Sequence, residues 1–195
     1  MLPKYLSIAA AAVILLSSCA KTETVPVLRV DGVNLYQEGV SEPVVWRGIS
    51  FGWHNLWPRF YNTEAVRTLA QEWGCPVFRA AIGADTLHET EDNRGYIDYP
   101  ERALQCLYNV IDGAIESGKY VIVDWHSHVL HTEEAVEFFR TVATKYAGCP
   151  NVIYELFNEP VSREFEESHD YAEPSVESLD AYWAELKAYA EKLIG

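Results

Sequence analysis

The sequence predicts an α/β protein built on a parallel sheet, and three observations carry that prediction. Four short apolar runs are continuous rather than alternating, as strands buried on both faces are. Stripes of apolar residues at spacings of three and four lie between those runs and read as amphipathic helices. Strand and helix together recur at roughly thirty residues, the length of a βα unit. Such a series gives either a doubly wound sheet or a closed barrel. The dinucleotide-binding version lacks its signature, since neither GxGxxG nor GxxxxGK[ST] occurs. A barrel needs eight units over about 250 residues, whereas four are recognisable in these 195.

The elements follow in order. Residues 1–18 read as a signal segment: Lys4, an apolar run from Ile8 to Leu16 that is too short to span a bilayer, then Ser17-Ser18-Cys19. Leu16-Ser17-Ser18-Cys19 resembles a bacterial lipobox. That resemblance implies an exported protein whose lipidated first residue is Cys19, anchored by several acyl chains because one binds only marginally. Lys21 leaves sorting to the outer membrane open. An ordinary cleaved signal with a nearby cysteine is the alternative. Residues 19–27 form a tether, and 28–195 form the folded body. Cys75, Cys106 and Cys149 are then an odd set without CxxC spacing, so neither a zinc ribbon nor a disulfide framework is expected. Cys75 and Cys149 precede strand starts and read as small buried hydrophobes.

Leu28-Arg-Val and Val33-Asn-Leu-Tyr36 read as a hairpin turned at Asp31-Gly32. The four apolar runs are Val44–Ile49, Val77–Ala81, Tyr120–Asp124 and Val152–Leu156. Helical stripes run through Val66, Leu69, Ala70 and Trp73, stopped by Gly74. A second has Leu104, Leu107, Ile111 and Ile115, with Pro100 in its first turn and Gly118 at its stop. A third has Val136, Phe139, Val142 and Tyr146 after Thr132. The last runs from Leu179 to Leu193 behind Ser178. The acidic segment Ser162 to Glu177 reads as a solvated face.

Composition bounds the partners. The chain is 49% hydrophobic and 23% charged, which fits one packed domain. Asp and Glu number 29 against 15 Lys and Arg, a formal −14 that repels phosphate backbones and excludes a nucleic-acid partner. A neutral, hydroxyl-rich or weakly cationic ligand suits that charge.

Polar residues collect at the strand ends. His54 and Trp57 follow the first apolar run, Arg79 sits in the second, Asp124, His126 and His128 mark the third, and Asn158-Glu159-Pro160 closes the fourth. In a barrel these converge on the carboxyl-end face, where active sites are built. A carboxyl beside apolar walls, as at Glu159, can hold a proton for a leaving oxygen. Asn158 offers the donor and acceptor that a hydroxyl needs, and an indole such as Trp57 can stack on a sugar face.

The stretches Trp46–Ser50, Val77–Ala80, Gly95–Asp98, Tyr120–His126 and Asn151–Pro160 resemble glycoside hydrolase family 5, in particular its bacterial endoglucanase branch, in order and in spacing. The resemblance implies a (β/α)8 TIM barrel, of which the first four units and an N-terminal hairpin are present. It implies cleavage of β-1,4-glycosidic bonds of a β-glucan with retention of configuration, and neither a metal nor a cofactor. Carried over residue by residue, Glu159 resembles the general acid/base and Asn158 the residue that holds the sugar 2-hydroxyl. Arg79 resembles the arginine that hydrogen-bonds the nucleophile carboxylate. His126 is similar to the histidine lining the cleaved subsite, and His54, in a segment shifted by about two residues, to a sugar-binding histidine. Retention needs a second carboxylate about 5–5.5 Å from the acid, which the family takes from strand seven. Glu155 cannot serve, because four extended residues separate it from Glu159 by roughly 13 Å. The expectation is therefore a piece of a longer enzyme that does not turn over a glycoside by itself.

Three rival readings use the same residues. Gly48-Ile-Ser-Phe-Gly52 matches a GxSxG elbow, with Asp124 and His169 completing a serine hydrolase in chain order. His126-Ser-His128 offers two imidazoles to a metal-dependent hydrolase. A lipid-anchored glycan-binding protein would use the aromatics without chemistry.

Overall fold

The computed structural model describes residues 25–87, 90, 93–160 and 175–195. Residues 1–18, Cys19 and His169, on which the signal, lipid-anchor and serine-hydrolase readings lean, lie outside that set. The chain runs β1 (Leu28–Asp31), β2 (Asn34–Gln37), β3 (Ile49–Trp53), a 3-10 turn at Pro58–Phe60 and α1 (Thr63–Glu72). It continues through β4 (Val77–Gly83), α2 (Pro100–Glu116), β5 (Tyr120–His126), α3 (Thr132–Lys145), β6 (Val152–Glu155) and α4 (Val176–Ile194).

β1 and β2 form an antiparallel hairpin, and β3-β4-β5-β6 form a parallel sheet in chain order. Consecutive order leaves no point at which the winding reverses, and right-handed crossovers then return every helix to the same face. The buried core agrees. Phe78, Ala80 and Ile82 of β4 and Val121, Val123 and Trp125 of β5 pack with Leu107 and Ile111 of α2 and Phe138 and Val142 of α3. This is the layering of a barrel segment, not of a doubly wound sheet.

Side chains alternate along each strand. With Phe78, Ala80 and Ile82 turned to the helices, Arg79 and Ala81 take the other face. The register Ala81↔Asp124↔Glu155 and Gly83↔His126 extends that face across the sheet. Its amino-terminal end is closed by a second cluster in which Val25, Val77 and Tyr120 pack with Leu28 and Trp46. Trp46 stacks on Tyr120 at 4.5 Å, and the Tyr120 hydroxyl donates to the Pro26 carbonyl at 2.6 Å. The hairpin side thus covers one end of the strands and leaves the carboxyl end to the polar residues.

Several boundaries differ from expectation. The hairpin turns one residue later, at Gly32-Val33, with Gly32 at φ +60°. The first parallel strand is Ile49–Trp53 rather than Val44–Ile49. Gly48 lets the chain lie against β4, because a Cβ there would sit 2.3 Å from the Val77 carbonyl oxygen. Gly52, at φ +69° inside β3, breaks its register between Ser50 and Trp53. α4 starts earlier, its cap being Ser175, whose Oγ accepts from the Ser178 N–H at 3.1 Å. Cys75 and Cys106 are buried free thiols, and Cys149 is buried as well.

Because the atom facing Gly48 is backbone, it cannot swing aside. Gly48→Ala is expected to cost about 1–3 kcal/mol, measured as a lowered urea midpoint at unchanged m-value.

Candidate active site

The polar face of the sheet is organised by Arg79. Its Nε and Nη2 donate to Glu155 Oε2 and Oε1, both at 2.7 Å, a bidentate pair across β4 and β6. Nη2 also lies 2.9 Å from Asp124 Oδ2 and donates to Asn158 Oδ1 at 3.1 Å. The hydrogen bond to Glu155 raises the guanidinium pKa against the opposing effect of burial, so this cation stays charged. The Asp124 side chain is fully buried. Burial pushes its carboxyl up, more than His126 and the Arg79 charge pull it down. Asp124 Oδ2 also meets His126 Nδ1 at 2.5 Å. An ionised Asp124 can only accept, so Nδ1 then carries the hydrogen and Nε2 is the nitrogen left for other partners.

Beyond β6 the chain turns sharply. Glu159 sits at φ +35°, a left-handed conformation uncommon outside glycine, directly before Pro160. Holding it there costs on the order of 1–3 kcal/mol. The turn buries Asn158 and leaves the Glu159 side chain 72% exposed. Glu159 Oε2 lies 3.1 Å from His128 Nε2. α4 braces the turn from behind, the Tyr189 hydroxyl donating to the Leu156 carbonyl at 2.7 Å.

Loops after β4 and β5 are laced together around Asp85. Ser127 Oγ donates to Asp85 Oδ2 at 2.8 Å and His131 Nε2 meets Oδ1 at 2.7 Å. Burial raises the Asp85 carboxyl, but these hydrogen bonds outweigh it and hold the pKa below its ordinary value. Asn55 ties in the loop after β3, donating to the Asp85 and Asn93 carbonyls at 3.0 and 3.1 Å.

The structure therefore brings together Arg79, His126, Asn158 and Glu159 of the expected residues, and it leaves out two. His54 is 2% exposed. Its Nδ1 accepts the Gly83 N–H at 3.0 Å, and burial followed by the Arg102 charge lowers its pKa to about 4. It is a neutral packing histidine, not one presented to a sugar. Trp57 lies against Gly52 in an apolar groove of about 880 Å³ with Ile49, Phe60, Leu69 and Trp73, between β3 and α1, away from the Arg79 cluster.

Two residues at the site, Trp53 and Glu155, went unrecognised as such, and a third, His128, was placed on this face with no contact assigned. Trp53 puts its ring edge-on to His126 at 4.4 Å and is the aromatic wall there. Glu155 was hidden in an apolar run, although its strand parity with Ile153 and its register with Asp124 place it on the polar face. His128 contacts Glu159. The rival readings lose their geometry: Ser50 Oγ accepts from the Gly52 N–H at 3.4 Å, and no helix follows it directly. His126 and His128 turn to different carboxylates, with ring centroids 6.4 Å apart.

A family model described as Cellulase (glycosyl hydrolase family 5) matches residues 37–195. Endoglucanase Z of Dickeya dadantii is 33% identical over 172 residues, covering 85% of this chain and 38% of that protein. Among solved structures, the catalytic domain of Thermobifida fusca endoglucanase Cel5A superposes with a TM-score of 0.65 at 28% identity, over 86% of this chain and 48% of that one. A thermostable, halotolerant GH5 cellulase from an Icelandic hot spring isolate gives a TM-score of 0.67 at 29% identity, over 89% and 49%. The chain spans less than half the length of these relatives.

His54 also sets a pH response. Its folded pKa is below the unfolded value of about 6.5, so the unfolded state binds the extra proton as pH falls from 6.5 toward 4. Stability is expected to drop across that window by on the order of 2–3 kcal/mol. His54→Asn, which keeps an acceptor for Gly83, should flatten this component in urea titrations from pH 7 to 4.5.

Proposed function

Because the chain belongs to the cellulase family, glycosyl hydrolase family 5, we propose that it carries the acid/base half of an endo-acting β-1,4-glucanase site. One observation supports this most: Asn158 and Glu159 leave the end of β6 beside the Arg79–Asp124–His126 cluster, at the carboxyl-end face of a parallel sheet. A solved Thermobifida fusca relative was crystallised with cellotetraose, which supports a β-glucan chain as the ligand.

On this reading Glu159 donates its proton to the oxygen of the departing sugar while a second carboxylate bonds to the anomeric carbon. It later withdraws a proton from the water that displaces that carboxylate, and the two displacements give retention. Asn158 holds the 2-hydroxyl of the sugar being cleaved. Its carbonyl is turned to Arg79, so its N–H is the group offered. His126 and Trp53 wall the cleaved subsite. The nucleophile belongs to a strand outside these four βα units. Glu155 and Asp124 are both committed to Arg79, and no second carboxylate among the described residues is free to attack a sugar bound at Glu159. We accordingly propose that residues 1–195 alone do not hydrolyse glycosides. The Leu16–Cys19 pattern supports export and a lipid anchor at Cys19. Incorporation of labelled fatty acid, lost in Cys19→Ser, is the expected result.

In the assembled barrel, Glu159→Gln should lower hydrolysis of unactivated β-glucan by about 10²- to 10⁴-fold and leave glucan binding largely intact. Reducing-end release is the assay. Wild-type activity in that variant would remove Glu159 from the acid/base role, and binding without any turnover in the unmutated barrel would favour a non-catalytic glycan binder.

A further inference from the structure

Simple alternation along β3 would put Trp53 on the helix face. Ser50 pairs with Arg79 and shares the polar face, so Ile49 and Phe51 turn to the helices. Both pack with the core there, and the Phe51 ring lies 6.1 Å from that of Phe78. Trp53 has the parity of Phe51, but it meets the His126 ring edge-on at 4.4 Å, on the polar face. The register accounts for the reversal. From Ser50↔Arg79 to Trp53↔Ala81, β3 advances three residues while β4 advances two. The extra residue is a β-bulge, and a slip of one residue sends the side chains beyond it to the other face. Gly52 supplies the left-handed conformation at the bulge, with φ +69°.

One side chain closes on this bulge. The Tyr61 hydroxyl donates toward the Gly52 carbonyl of β3 and the Ala81 carbonyl of β4, the latter at 3.0 Å. A phenol has one hydrogen to give. Ala81 already accepts the His54 N–H at 3.0 Å, so that hydrogen is assigned to Gly52. Burial pushes the Tyr61 pKa far above its ordinary value, and the group stays a donor. Tyr61 is itself firmly held. It is 2% exposed, its N–H donates to the Pro58 carbonyl at 3.0 Å, and Asn109 of α2 donates to its own carbonyl at 3.0 Å. The Phe51 and His54 rings flank it at 5.6 and 6.2 Å.

We propose that Tyr61 is the positioning residue of Trp53: its hydroxyl fastens the Gly52 bulge to β4 and so keeps the indole on the polar face beside His126. The consequence for a sugar rests on the hydrolase reading, in which Trp53 walls the cleaved subsite. The placement of Trp53 itself does not.

The test is made on the 195-residue chain carrying fluorotryptophan, with the Trp53 signal assigned by Trp53→Phe. Tyr61→Phe keeps the ring and loses only the hydroxyl. It is expected to shift the Trp53 fluorine signal and to abolish the nuclear Overhauser contacts between the Trp53 and His126 rings. Tyr146→Phe is the control, because that buried hydroxyl donates to Asp112 Oδ1 at 2.8 Å, between α2 and α3. The control should lower the urea midpoint and leave the Trp53 signal in place. In wild type the Tyr61 hydroxyl proton should exchange slowly enough to be observed. A Trp53 signal unchanged in Tyr61→Phe, or moved equally by Tyr146→Phe, overturns the proposal. A Tyr61 hydroxyl in rapid exchange with water overturns it too, whether or not the variant folds. In the assembled barrel, Tyr61→Phe should weaken cellotetraose binding about three- to tenfold. A displaced Trp53 with unchanged binding would uphold the positioning and count against the subsite reading, so the two claims fail separately.

Discussion

Arg79 is a cation set into the middle of a parallel sheet, and the site consists largely of the groups that make this tolerable. A charge at this depth is stable only if paired and fully hydrogen-bonded. Glu155 supplies two bonds from β6, two strands away, Asp124 supplies charge from β5 between them, and Asn158 supplies a carbonyl from the turn beyond β6. Each of those groups then fixes another. Asp124 selects the hydrogen-bearing nitrogen of His126, and Asn158, with its amide orientation settled, presents its N–H outward. The geometry around Glu159 is thus inherited from one ionic knot two strands away.

The knot exists because of strand parity and register. Phe78, Ala80 and Ile82 must face the helices, which forces Arg79 to the opposite side. In-register pairing then carries Asp124 and Glu155 to the same level. The hairpin and Trp46 seal the far end, so the carboxyl end is where polar groups can meet a ligand. The only backbone strain at a non-glycine residue among the described residues, at Glu159, falls at that end.

Much of this was legible in the sequence. Continuous apolar runs gave the first residues of β4, β5 and β6 and placed their ends within about two residues, and charges interrupting or ending those runs marked Arg79, Asp124, His126 and Glu159. What escaped depended on contacts distant in sequence. The start of β3 is set by how closely Gly48 approaches Val77, which no local pattern encodes. Trp53 and Trp57 look equivalent in a Trp-rich segment, but the bulge at Gly52 sends one to His126 and the other to the groove beside α1. His54 follows a strand and reads as a residue offered to a ligand, whereas the fold turns it inward, where its Nδ1 accepts the Gly83 N–H. Glu155 reads as one polar letter in an apolar run until register pairs it with Asp124.

The charge pattern fits the same account. A formal −14 on the chain and two carboxylates on the site's arginine leave little to attract an anion, while hydroxyls can use Asn158, His126 and Glu159 without charge pairing. The most direct measurement is a crystal structure of the assembled barrel carrying Glu159→Gln with cellotetraose bound. The account predicts a glycosidic oxygen within hydrogen-bond reach of residue 159, a sugar 2-hydroxyl on Asn158 Nδ2 and Trp53 along the same subsite. A chain bound instead in the Trp57 groove, with residue 159 untouched, would contradict it.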